Sequence, residues 1–268
     1  MAAANGKTMI DQAEVRESHE LLGAAWSLYA HASGCGEVVD LEGVRVANAR
    51  SSWVLLNAAL LTGPVSSQAE LAARAGAALA YFGREPRPWF FTGSRRWLGD
   101  GAPETLSRLG LTEAFTVVGM ISAGLAPPTR PLPEVETRRI DDESGRLALA
   151  DLNAVAYDVS SDWVRDAVVS EFLWQTPVYG YNAFVDGQPA ATAFAVPLGG
   201  VLYVAFVTTA QAHRRRGLAE LVMRRSLEDA TRETGITRTA LHATADGYPS
   251  YLRMGYRAVD EFSLYVPS

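Results

Sequence analysis

The stretch His213-Arg214-Arg215-Arg216-Gly217-Leu218-Ala219 holds the residues of this chain best suited to grip an anion. An apolar run at 201–207 precedes it, and a segment with helical patterning at 220–234 follows. A strand that feeds a glycine-containing turn and then a helix brings free backbone N–H groups and the positive end of the helix dipole to one point. Gly217 lets the backbone approach an anion closely, small Ala219 leaves space beside it, and the arginines can reach phosphate oxygens. Surface charge at a solvated helix start is the plainer alternative. Cations there oppose the dipole, however, so three in a row ask for an anion. The turn lacks the Gly-Lys-Ser/Thr ending of a nucleoside-triphosphate loop and the three glycines of a dinucleotide fingerprint.

Arg214-x-x-Gly217-x-Ala219, set between a strand and a helix, resembles motif A of the GNAT acyltransferases, which cradles the pyrophosphate of acetyl coenzyme A. Further along, 238–244 reads as a short strand and 248–256 as a short helix ending at a glycine. There Tyr251, four residues before Gly255-Tyr256, resembles the family's motif B. The resemblance covers about residues 135–268 and implies an α/β fold with a mixed sheet, the acyl-CoA N-acyltransferase fold. It implies transfer of an acetyl group from acetyl coenzyme A to a primary amine by direct attack in a ternary complex, with no metal. Phe206, Val207 and Thr208 would meet the pantetheine arm and acetyl group, with Val207 the backbone donor near the thioester. Arg214, Arg215, Arg216, Gly217, Leu218 and Ala219 would hold the pyrophosphate, and Tyr251 would protonate the departing sulfur. A protein that binds acyl-CoA without turnover, as a sensor or scaffold, is the alternative.

The general base is left open. The strand at 201–207 carries no carboxylate, so His242, Glu171 or an ordered water each remains in play. The resemblance implies a small-molecule or peptide amine as acceptor, which the residues do not narrow further. Trp163, Phe172, Trp174 and Tyr179 fall in the region that usually lines the family's acceptor site, with core packing the plainer reading of such aromatics.

Composition narrows the classes. With 24 Lys+Arg against 30 Asp+Glu the net charge is −6, which argues against nucleic acid as a partner despite the arginine triplet. A single cysteine, Cys35, excludes an internal disulfide, and four scattered histidines show no metal-ligand spacing. Residues 1–9 lack the apolar core of an export signal, and no apolar run approaches the ~20 residues needed to span a bilayer. The expectation is a cytoplasmic protein with no membrane partner, for which a homodimer is compatible.

The chain of 268 residues divides at a stretch with prolines at 127, 128, 131 and 133, which reads as an extended linker, 126–134. Downstream, 136–140 reads as a strand, 147–157 and 163–173 as helices, and 181–185 with 190–196 as a hairpin around Asp186-Gly187. The last strand is 261–266. Upstream, 53–61, 89–92 and 115–121 read as strands, with helices at 68–82 and 103–109. Arg108-Leu109-Gly110 aligns with Arg253-Met254-Gly255 at a separation of 145 residues, so residues 1–125 read as a second, degenerate GNAT-like domain beside the catalytic one at 135–268. In the first copy Gly63-Pro64-Val65-Ser66-Ser67 stands where the arginine-glycine turn would be, and Leu106 stands for Tyr251. Shared α/β patterning without common descent is the alternative.

Overall fold

The computed structural model describes residues 11–169 and 171–268, with nothing stated for the side chains of Glu171 and Phe172. The readings made on residues 1–9 and on the Glu171 carboxylate therefore lie outside the described residues. In chain order the elements are α1 (Gln12–Ala32), β1 (Glu37–Leu41), β2 (Val44–Asn48), β3 (Asn57–Leu61), α2 (Gln68–Phe82), β4 (Phe90–Ser94), α3 (Arg95–Leu98), α4 (Ala102–Ser107) and β5 (Leu111–Ser122). After the linker come β6 (Glu136–Arg139), α5 (Glu143–Tyr157), α6 (Ser161–Val168), α7 (Glu171–Trp174), β7 (Tyr179–Val185), β8 (Gln188–Leu198) and β9 (Val201–Thr209). The chain closes with α8 (Leu218–Thr234), β10 (Thr239–Ala243), α9 (Tyr248–Arg253) and β11 (Arg257–Pro267).

Local chemistry sets many of these boundaries. Asp11 caps α1 through Ala13 N–H at 2.9 Å, and Asp142 caps α5 through Gly145 N–H at 2.7 Å. The expected hairpin between β7 and β8 forms on Asp186 and Gly187, at φ +51° and +74°, the pair of positive angles a tight two-residue turn needs. Two readings change. The run 53–61 is a single 3-10 turn, Val54–Leu56, followed by the short strand β3, and the helix expected over 163–173 is split into α6 and α7.

All the strands form one sheet, in the order β1-β2-β3-β4-β11-β5-β10-β9-β8-β7-β6. The two halves of the chain exchange their last strands. β11 lies between β4 and β5, and β5 lies between β11 and β10. The central β5–β11 pairing is antiparallel and runs from Arg257↔Ile121 to Pro267↔Leu111. Either side of it the element order repeats: parallel pairs β3/β4 and β9/β10, crossover helices α2 and α8, and short helices α4 and α9, each followed by a glycine (Gly110, Gly255) at positive φ.

The core is shared as well. Val15, Leu21 and Ala25 of α1 join Trp53, Leu149, Phe194 and Phe206 in one buried cluster that spans both halves. Each such side chain fully withdrawn from water contributes about 1.5–3 kcal/mol, so neither half has a complete core of its own on this face. Arg238, ahead of β10, ties α1 down through Glu17 at 2.9 Å.

Candidate active site

β9 and β10 are paired only at Thr239↔Leu202 and Ala240↔Tyr203. Beyond Tyr203 the two parallel strands separate, although β9 runs on to Thr209 and β10 to Ala243. A bulge assists the separation. The register between β8 and β9 steps from Phe194↔Ala205 to Thr192↔Thr208, leaving Phe206 and Val207 against one residue. Phe206 is held at φ +53°, an unusual angle for a bulky side chain, and such strain concentrates where a fold serves a site. Its ring is wedged among Phe194, Tyr29 and Trp53, at centroid separations of 5.0, 5.6 and 5.9 Å.

The gap opens into a cleft of about 1130 Å³. Val207 and Thr208 line it on one side, and Thr244, Gly247 and Tyr251 on the other. At its end sits the arginine-glycine turn. Gly217 is at φ +84° and is the N-cap of α8, and no side chain among the described residues caps that helix. The first N–H groups of α8 are thus left for a ligand. Arg214, Arg215, Leu218 and Ala219 share the lining. The conformation is one a phosphate group fits: a left-handed glycine, a left-handed Arg215 at φ +63°, and uncapped amides at a positive dipole end. Glu220, in the first turn, is held by Arg224 at 2.8 and 2.9 Å, so its charge is already balanced.

Residues 146–256 match the acetyltransferase (GNAT) family. This region is similar to a GNAT domain. Solved structures of the same fold cover nearly the whole chain. A GCN5-related N-acetyltransferase from Kribbella flavida is 20% identical, with 97% of this chain and 96% of that one covered and a TM-score of 0.69. A GCN5-related N-acetyltransferase from Sphaerobacter thermophilus is 13% identical over 94% of this chain and 92% of its own, with a TM-score of 0.61. A tandem GNAT protein from the clavulanic acid biosynthesis pathway is 13% identical over 94% and 95%, with a TM-score of 0.55. No curated protein matches the chain. The family match and the fold support acyl-CoA-dependent acetyl transfer in general.

Within the matched region, Tyr251 stands in the cleft wall on α9. Gly247 makes room for it, since a Cβ there would come within 2.9 Å of the ring. Burial raises the phenol above its ordinary pKa, so it keeps its proton at any neutral pH. Tyr256 points away into the core, where its hydroxyl meets Thr239 Oγ1 at 2.8 Å.

Several residues expected at the site lie elsewhere. Phe206 is buried beneath the cleft and does not line it. Arg216 turns aside to His213 Nδ1 at 2.9 Å. His242 is engaged at both ring nitrogens, with Tyr203 Oη at 3.0 Å and Ser18 Oγ at 3.3 Å. Desolvation lowers its pKa to about 3, with His19 adding to the effect, and it does not line the cleft. His242 is therefore set aside as the base. Trp163, Trp174 and Tyr179 also stay out of the cleft. Trp174 donates to the Val168 carbonyl at 2.7 Å, and Tyr179 is buried in the core beside α8.

Besides Tyr251, two aromatic groups line the cleft that the sequence does not single out. Tyr157, at the end of α5, is 43% exposed, and Phe115, on the exchanged strand β5, is 39% exposed. Arg130 of the linker lines it too. Each comes from a segment remote from the family motifs, so no local signal marks it. Among the described residues, no group of three or more His, Cys, Asp or Glu is placed to hold a metal ion, and no helix is long and apolar enough to cross a membrane.

Proposed function

We propose that the protein transfers an acetyl group from acetyl coenzyme A to a primary amine, in the cleft between β9 and β10. The observation that carries this reading is the junction of three features in one cleft: diverging parallel strands, an uncapped arginine-glycine helix start, and a protonated Tyr251 opposite Val207 and Thr208. Arg214, Arg215, Gly217, Leu218 and Ala219 would hold the pyrophosphate, and the freed backbone edge at Val207 and Thr208 would receive the pantetheine arm and polarise the thioester carbonyl. With both substrates bound, the neutral amine nitrogen attacks that carbonyl. The C–N bond forms, the C–S bond breaks, the amine's surplus proton leaves through water, and Tyr251 gives a proton to the departing sulfur. Phe115 and Tyr157 form an open aromatic wall to the same cleft and suit an acceptor with an apolar body.

On this reading residues 135–268 are the catalytic domain, 126–134 the linker, and 1–125 a degenerate copy. Two contrasts support the degeneracy. β3 and β4 stay paired through Leu60↔Thr92, almost to the end of β3, so they do not part as β9 and β10 do. The start of α2 is already capped by Ser67, and the Glu70 carboxylate sits there, accepting from Ser66 N–H at 2.7 Å and its hydroxyl at 2.6 Å. Glu70 pairs with Arg74 as Glu220 does with Arg224, so the contrast lies in the amides: Ser67 takes the Glu70 N–H and Glu70 the Ser66 N–H, whereas no described side chain caps α8.

The test is release of free coenzyme A thiol from acetyl coenzyme A by the full chain, across a panel of small amines and short peptides. Amine-dependent release, matched by acetylated amine in mass spectra, is expected. Tight binding of acetyl coenzyme A with no release for any amine would instead establish the sensor reading.

A further inference from the structure

The proline-rich segment between the halves is strapped across the proposed co-substrate site. Ala126 anchors it: its N–H donates to the Met254 carbonyl at 2.9 Å, and its carbonyl accepts from Arg224 Nη2 at 2.7 Å. Gly255, at φ +93°, permits this approach, since a Cβ there would stand 3.0 Å from Ala126. The strap is thus fixed to the end of α9, which bears Tyr251, and to α8. Pro127, Pro128, Pro131 and Pro133 then keep it extended and limit its freedom. It reaches the start of α8 tightly enough that a Cβ on Gly217 would lie 3.4 Å from Pro133 and 3.6 Å from the Arg130 guanidinium.

Arg130 lines the cleft together with Arg214 and Arg215. Among the described residues it has no ion-pair or hydrogen-bond partner, and Glu220, the carboxylate in the first turn of α8, belongs to Arg224. A third guanidinium held against the positive end of a helix, beside two others, is unfavourable by itself. The arrangement becomes favourable when a multiply charged anion enters between them, and the planar fork of arginine matches phosphate oxygens.

We propose that Arg130 closes over the pyrophosphate of acetyl coenzyme A as a third cationic ligand, which makes the linker part of the co-substrate site. The proposal rests on reading the α8 turn as the phosphate cradle. Because the strap is pre-ordered by its anchor and prolines, little freedom is lost when Arg130 engages.

Calorimetric titration of the full chain and of Arg130→Ala and Arg130→Lys, with coenzyme A and with dephospho-coenzyme A, tests it. Arg130→Ala should weaken both ligands alike, by about ten-fold or more, as expected for one lost charge-assisted hydrogen bond. Arg130→Lys should fall between, and the melting temperature should not move, because Arg130 is exposed and unpaired among the described residues. Unchanged affinity in Arg130→Ala would overturn the proposal while leaving the cradle intact. A penalty that disappears with dephospho-coenzyme A would overturn the pyrophosphate assignment, since that ligand lacks only the 3′-phosphate. A wild-type chain that binds neither ligand would remove the cradle reading itself.

Discussion

Trp53, from the first half of the chain, packs its indole 5.9 Å from the ring of Phe206, the residue of the second half that is held at φ +53°. The same indole meets Tyr157 of the cleft wall at 5.6 Å. A strained bulge persists only where its surroundings fix it, so the first half acts as the buttress of the cleft. Trp53→Ala should cost about 3–5 kcal/mol of stability by leaving a cavity in the shared core. In the protein that remains folded, kcat/KM should drop by up to about 10²-fold as the Val207 backbone shifts. Chemical denaturation and steady-state kinetics measure the two effects. Full kcat/KM in folded Trp53→Ala would show that the bulge needs no support from the first half.

Tyr251 carries a different kind of prediction. Tyr251→Phe keeps the ring that packs against Gly247 and removes only the acidic proton. Turnover should fall by roughly 10- to 10⁴-fold with acetyl coenzyme A affinity little changed. Because burial raises this phenol, no loss of activity from its ionisation should appear below its ordinary pKa of 10 in the wild-type pH profile. Undiminished turnover in Tyr251→Phe would take Tyr251 out of the mechanism.

Much of this site could be read in the chain alone, and the reason is locality. The turn at 214–219, Tyr251 with Gly255, and the Asp186-Gly187 hairpin are each specified by neighbours within a few residues. The Trp53–Phe206 contact, the entry of Phe115 on an exchanged strand and the return of Arg130 to Gly217 depend on the order of strands in the sheet, which no local pattern encodes. α1 does carry a local signal, in the Asp11 cap and the spacing of Val15, Leu22 and Trp26 along one face. The break between α6 and α7 has no glycine or proline to mark it, and the 3-10 turn at Val54–Leu56 sits inside an apolar run that also fits a strand.

His19 should make the fold acid-sensitive. It is 4% exposed, stacked on Trp97 at 3.9 Å, and burial lowers its pKa from 6.5 to about 4. Between those two values the unfolded chain takes up the proton and the folded one resists it. The contribution is therefore complete above pH 6.5 and is lost as the pH falls toward 4. His19→Phe keeps the stacking and removes the titration. Its melting temperature should decline less than that of the wild type between pH 7 and pH 4, and parallel declines would contradict the assignment.

Gly217 tests the cradle from the inside. A side chain here would meet Pro133 and Arg130 and would strain a backbone at φ +84°. Gly217→Glu adds a carboxylate where a phosphate should sit, and binding of acetyl coenzyme A should be abolished. Retained binding would mean that the turn at α8 is not the phosphate site.

The most direct measurement is calorimetric titration of the full chain with acetyl coenzyme A, counting sites. One site per chain is the expected result, because only β9 and β10 diverge while β3 and β4 remain paired. Two sites would show that the first half still binds the co-substrate, and no binding would contradict the acetyltransferase reading altogether.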